Sequence, residues 1–232
     1  MNKHHKQPPL TPEKYIRTRT RTLPIGTCYI NDNWIESGFA MILVTRLHIN
    51  GNVTHGAFMV DLYCLGVKDT FWNFNQHPLD FREFLDKQQW ANDSGIRIRK
   101  VDYPLAHNII YGAIEFAEEF GFHPHKSFEL TKYILEEDTE NVKLIDIEFG
   151  YKGKPLYVSS PENPGEKNRV LAHLEKRLGH GNFHFITEAE AEEFFEREEE
   201  DESDAIDYHD PEVKRNLILD FIAHTGNPKK LR

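Results

Sequence analysis

Strand-forming residues are densest between residues 39 and 74, in the run FAMILVTRLHINGNVTHGAFMVDLYCLGVKDTFWNF. β-Branched and aromatic residues on either side of Asn50-Gly51 predict two paired strands, because both central residues of a type I′ turn take positive φ and Asn and Gly tolerate it. Ala40, Ile42 and Val44 fall on one face of the first strand and Phe39, Met41 and Leu43 on the other. Apolar side chains on both faces predict a central hairpin covered on both sides rather than an edge. Arg46 and His48 enter only near the turn, where side chains reach water, so the hairpin end is expected to be exposed. Gly66 then interrupts the strand pattern, which predicts a bulge or a close approach of backbone. The aromatic block Phe71, Trp72 and Phe74 follows.

After Pro78 the spacing changes to three and four. Phe81, Phe84 and Leu85 predict a short helix over 78–89 that caps one side of the sheet. Asp102-Tyr103-Pro104 supplies the start of the clearest helix in the chain, with Leu105, Ile109, Ala113, Phe116 and Phe120 on one stripe. Gly121 is placed for its left-handed cap, with Phe122 folding back. A second helix over 127–137, beyond His123-Pro124-His125, would complete a helical hairpin. Residues 142–158 predict a second strand pair turning at Lys152-Gly153, with Ile145, Ile147 and Phe149 facing one way and Asp146 and Glu148 the other. A helix over 168–178 turns Val170, Leu171, Leu174 and Leu178 inward and stops at Gly179, and Phe183 and Phe185 mark a short strand.

The two ends read differently. Residues 1–14 are polar and proline-rich and are expected to form a disordered arm. From Tyr15, the run YIRTRTRTLPI alternates Arg17, Arg19 and Arg21 with threonines, which at period two sets three guanidinium groups on one face of an extended strand. Trp34, after the turn Asn31-Asp32-Asn33, is expected as a lid on the hairpin. Near the other end, Asp210-Pro211 starts an amphipathic helix carrying Val213, Leu217, Ile218, Phe221 and Ile222, which requires an apolar partner.

Charge sharpens this division. Residues 188–212 hold fourteen acidic side chains against Arg197, a local −13 within a formal net charge of −10, so the remainder of the chain sums to +3. Residues 1–25 carry six Lys and Arg against Glu13. No apolar run approaches the ~18 residues of a membrane span and the start has no signal-peptide core, which points to a cytoplasmic protein without a membrane partner. The two cysteines, Cys28 and Cys64, sit in apolar strand surroundings and read as buried thiols.

Candidate chemistry is sparse. Asp61 lies inside an otherwise apolar strand, where a carboxylate is costly unless it is hydrogen-bonded, paired or solvated, and Asp69 lies beyond the expected bulge. The pair would serve a hydrolase-type enzyme as base or metal ligand, or would anchor neighbouring backbone. Arg17, Arg19 and Arg21 would bind nucleic-acid phosphates, or would form a solvated edge that discourages strand pairing. His107 stands roughly 25 Å from His123 and His125 along the helix, and His-Pro-His lacks the third and fourth ligands zinc requires. These histidines, with His180 and His184, read as surface or cap residues. No metal or cofactor is expected, since the chain carries no phosphate-binding loop, dinucleotide fingerprint or nucleophile elbow.

The blocks LPIGTCYINDNW and GAFMVDLYCLGVKDTF together resemble a bacterial protein family of unassigned function, a resemblance that covers about a quarter of the chain and implies no mechanism. The pattern as a whole predicts an α+β fold: a disordered arm (1–14), an α+β domain with a largely antiparallel sheet (15–187), an acidic segment (188–209) and a C-terminal helix (210–232). The expected function is binding of a protein partner or of nucleic acid, with the hydrolase-type enzyme centred on Asp61 and Asp69 as the alternative.

Overall fold

The computed structural model describes residues 10–90, 97–161, 164–191 and Phe194. The chain divides into two compact units that meet between Phe185 and Ile186. The first unit begins with helix α1 (Pro12–Arg19) and continues through β1 (Cys28–Asn31), α2 (Trp34–Ser37), β2 (Phe39–Leu47), β3 (Val53–Asp61), β4 (Gly66–Gln76) and α3 (Pro78–Trp90). It continues with β5 (Ile98–Val101), α4 (Tyr103–Glu119), α5 (Phe128–Thr131), β6 (Leu156–Ser159) and α6 (Pro164–Leu178), and β7 (His184–Thr187) runs across the division. Five strands form an antiparallel sheet in the order β4-β3-β2-β1-β5, and β6 pairs with β7. The fold is α+β.

Of the second unit, the described residues show one helical start. The Thr187 N–H and hydroxyl both reach Glu190 Oε2, at 2.8 and 2.7 Å, a threonine–glutamate pairing that favours helix initiation, and residues 188–191 are helical. Apart from Phe194, the rest of the acidic segment, the 210–232 helix and residues 1–9 lie outside the described residues.

The hairpin β2–β3 is internal to the sheet, as the two-sided apolar pattern requires, and its register pairs Ala40 with Val60, Ile42 with Phe58 and Val44 with Gly56. Its turn differs from the expected type. The Gly51 N–H donates to the His48 carbonyl at 2.9 Å, and Gly51 takes φ 82° while Asn50 keeps negative φ. The tip is exposed, with Ile49 fully open to solvent.

One face of the sheet carries the main core. Ala40, Ile42, Val44, Phe58 and Val60 are buried against Ala106, Ile109, Ile110 and Ala113 of α4. Gly66, at φ 66°, allows that contact, because a Cβ there would stand 2.9 Å from the Ala113 carbonyl oxygen. A bulge and a close approach therefore occur together: Met59 faces Asp69 and Val60 faces Val67, leaving Lys68 as the extra residue. The far end of α4 closes as its glycine predicts, with Gly121 N–H on Glu118 and Phe122 N–H on Ala117, both at 3.0 Å. A smaller core gathers Cys64, Tyr157, Val170 and Leu174 beneath α6.

Arg46 overturns the expectation of a solvated strand end, since it is 1 % exposed on the α4 face. Its Nε donates to the Ile134 carbonyl at 2.7 Å and its Nη1 to Leu23 at 2.9 Å and to Glu136 at 2.7 Å. This explains a second difference. The helix expected over 127–137 is the single turn α5, because the carbonyls beyond it are taken by side chains: Arg21 holds Lys132 and Leu135, Arg46 holds Ile134, and Tyr111 holds Glu136.

Two further expectations change. Arg17, Arg19 and Arg21 do not lie on a strand: Thr11 accepts from the Lys14 N–H at 3.3 Å, Pro12 opens α1, and Thr20–Thr22 tightens into a 3-10 turn. The helix therefore starts inside the segment read as a disordered arm. The strand pair over 142–158 reduces to a turn at Lys152-Gly153, both at positive φ, followed by β6, although Ile147 and Phe149 still pack on the core. Trp34 is buried in the main core, in one cluster with Ala40, Ile42 and Phe58 of the hairpin.

Candidate functional site

Asp61 terminates β3, and its Oδ1 accepts from the Tyr63 N–H at 2.8 Å and the Cys64 N–H at 3.0 Å, closing the turn into β4. Burial pushes this carboxyl up, against the opposing pull of Lys68 and of the N–H groups of Tyr63, Cys64 and Leu65. Asp69 has different partners. Its Oδ1 accepts from the Ser127 hydroxyl at 2.9 Å and the Thr70 N–H at 2.7 Å, and His125 Nδ1 lies 3.0 Å away. The register sets Asp61 opposite Gly66 and Asp69 opposite Met59, so the structure engages the two acids in separate networks.

Of the three arginines, two converge and one stands apart. Arg17 donates to the Glu129 carbonyl at 3.1 Å, and Arg21 donates to Leu135 and Lys132 and pairs with Glu137. Both guanidinium groups stand over the Tyr133 ring, at 5.7 and 5.3 Å. Arg19 is exposed. Cys28 and Cys64 are free and buried, and burial raises the Cys28 thiol to about 11. A thiol held protonated in this way is a poor nucleophile.

His107, expected as a surface or cap residue, is buried instead, and so is His55. His107 packs between Tyr103 and Tyr111, with ring centroids 5.6 and 4.6 Å away. His55, 4 % exposed, packs against Phe81 and Phe84 of α3, its Nδ1 has no hydrogen-bond partner, and burial lowers its pKa to about 4.

His55 lies at the wall of a cavity on the sheet face opposite α4. Met41, Leu43, Ala57 and Met59 form its floor, Phe71 and Asn73 one side and Phe84 of α3 the other, around about 370 Å³, while the Trp72 ring between them packs on the main core. The expectation of cover on both faces is met only in part. Helix α3 lies over the His55 end, while Met41 and Met59 remain half-buried and Phe71 is 52 % exposed. Among the described residues, the lining contains no Lys, Arg, Asp or Glu.

A second cavity of about 380 Å³ is of opposite character. Lys68 from the bulge, His123 and His125 from the segment after α4, and Glu166, Arg169 and His173 from α6 surround Leu65, Val67, Phe122 and Val170. His173 caps α4 by donating from Nε2 to the Phe120 carbonyl at 2.8 Å. Lys68 lies 3.5 Å from Glu166. No sequence pattern joins His125 and its partner Ser127 to Lys68 and Arg169, since their approach depends on a bulge and on a helix about a hundred residues further along. Among the described residues, no three His, Cys, Asp or Glu side chains gather to hold a metal ion, and no helix is long and apolar enough to cross a membrane. No protein-family model matches the chain, and neither a curated protein nor a solved structure matches it.

Proposed function

We propose that the protein is a binding protein whose site is the apolar cavity between the β2–β3–β4 face and α3, and whose ligand is a small, uncharged, largely apolar molecule. The carrying observation is the composition of that cavity: two methionines, a leucine, an alanine and the rings of Phe71 and Phe84 around about 370 Å³, with no charged side chain in the lining among the described residues. Ligand sites are concave, mostly apolar and roughly 300–1,000 Å³ in volume, with few polar groups to orient what enters. Asn73 is the uncharged polar group on the wall, and His55, held neutral by burial, adds no charge. Met41 and Met59 supply flexible, polarisable walls that adapt to irregular shapes. The arginine-based reading has less support, because Arg17 and Arg21 hold main-chain carbonyls of this chain.

The test uses the scarcity of methionine. The chain has three, Met1, Met41 and Met59, and two of them line the cavity. Methyl-labelled methionine therefore reports binding directly. Indole and 1-octanol should shift the Met41 and Met59 methyl signals and leave Met1 unmoved, and Ala57→Leu, which adds bulk to the floor, should abolish the shifts. Unmoved signals, or equal binding by Ala57→Leu, would reject the reading.

A further inference from the structure

We propose that the second cavity, between the β4 bulge, the segment after α4, and α6, binds a phosphate group that still carries a proton. Three observations converge. The first is that Lys68 is the extra residue of the bulge and lines this cavity, and bulges beside binding sites commonly re-aim a side chain in this way. With Arg169 it supplies two permanent cations, opposed within the lining by Glu166 alone. An incoming anion would take over Lys68 from Glu166. The forked guanidinium of Arg169 suits the paired oxygens of a phosphate.

The second observation fixes a proton. Ser127 donates its hydroxyl to Asp69 at 2.9 Å, and His125 Nδ1 lies 2.8 Å from Ser127 Oγ and 3.0 Å from Asp69 Oδ1. In a neutral ring a bare nitrogen lone pair held against that carboxylate would be repelled, so we place the hydrogen of that tautomer on Nδ1. Nε2 is then the acceptor, on a residue that lines the cavity. An acceptor in an anion site discriminates. It takes a hydrogen bond from a P–O–H group, whereas sulfate has no proton to give, and the second pKa of a phosphate monoester, about 6, leaves part of it protonated near neutrality.

The third observation is the wall. Leu65, Val67, Phe122 and Val170 leave room for an apolar group beside the anion, so a monoester suits the cavity better than free phosphate does. Other charges nearby are Glu118, 3.4 Å from His123, Asp69, already committed to Ser127 and His125, Asp61, whose carboxylate feels Lys68, and Arg177, which stands beside Gly121 and donates to the Glu119 carbonyl.

The experiment is calorimetric titration of the full chain at pH 7 with phenyl phosphate, inorganic phosphate and sulfate. Phenyl phosphate should bind most tightly and inorganic phosphate more weakly, with sulfate at least about tenfold weaker than phosphate. Arg169→Gln and Lys68→Gln should each weaken phenyl phosphate by about tenfold or more, the scale of a lost charge-assisted hydrogen bond. His125→Asn keeps a donor for Asp69 and Ser127 but removes Nε2, and should abolish the preference over sulfate. Should that variant fail to fold, the His125 ring protons of the unaltered chain must shift on adding phenyl phosphate and not on adding sulfate. Equal binding of sulfate, no binding of any anion, or indifference to Arg169→Gln would overturn the proposal. The Met41 and Met59 methyls report the other cavity and keep the two results separate.

Discussion

Arg46 Nε donates to the Ile134 carbonyl at 2.7 Å, joining the centre of the sheet to the chain that follows α5, 88 residues away in sequence. The same guanidinium reaches Leu23 and Glu136, so one buried side chain ties three segments together. Removing it leaves two main-chain carbonyls unsatisfied, at ~1–3 kcal/mol each. Arg46→Leu should therefore cost about 3 kcal/mol or more by urea unfolding. Arg46→Lys keeps the charge but loses the fork, and should fall between Leu and the unaltered chain. A loss below ~1 kcal/mol for Arg46→Leu would show that the clamp contributes little.

Asp61 closes the β3–β4 turn by accepting two main-chain N–H groups on one oxygen. Asp61→Asn retains an acceptor there and should stay close to the native stability, whereas Asp61→Leu strands both donors and should cost ~1–3 kcal/mol. Equal melting temperatures for the two variants would contradict the anchoring role.

Gly66 and Gly51 share a positive φ but differ in surroundings. A methyl at Gly51 meets nothing within 4 Å, while one at Gly66 meets the Ala113 carbonyl at 2.9 Å and the Ala117 methyl at 3.0 Å. Gly51→Ala should cost only the left-handed backbone penalty, ~1–2 kcal/mol. Gly66→Ala must also displace α4 and should cost more than Gly51→Ala by denaturant unfolding. The reverse order would mean that β4 and α4 move apart freely.

Acid should weaken the fold through His55. Its pKa lies near 4 when folded, against 6.5 for an ordinary histidine, because burial disfavours the cation. Between those values the unfolded chain binds more protons, so stability is fully present above about 6.5 and falls as pH drops toward 4. The fall from 6.5 to about 4 is worth roughly 3 kcal/mol at most. Asp61, shifted upward, acts in the opposite sense and favours the fold as pH falls. Urea unfolding from pH 7 to 4 should show a steep loss, shallower in His55→Phe; identical slopes would remove His55 as the cause.

These networks explain which parts of the fold the sequence makes legible. The hairpin, α4 and its glycine cap are local patterns, in which each residue's neighbours in sequence are also its neighbours in space. The α5 region defies that reading, since the carbonyls that would continue the helix are taken by Arg21 and Arg46 from far upstream. The arginine–threonine alternation misleads for a related reason: with Ile16 as the buried residue of α1, the cap at Thr11 and Pro12 decides the conformation and the period of two carries no weight. Neither cavity has a contiguous motif. Lys68 reaches its site only because β4 holds one residue more than its partner requires.

The strand order also bears on how the chain assembles. Strands β1 to β4 neighbour one another in sequence and in the sheet, whereas β5 returns to β1 only after β2, β3, β4 and α3 have intervened. Loop closure is cheaper for the near neighbours, so the four-strand meander can form while β1 still presents a bare flank. Four residues of β5 later cover that flank, and as a short terminal strand β5 should be the first of the five to release its amide hydrogens to exchange and the last to regain protection on refolding.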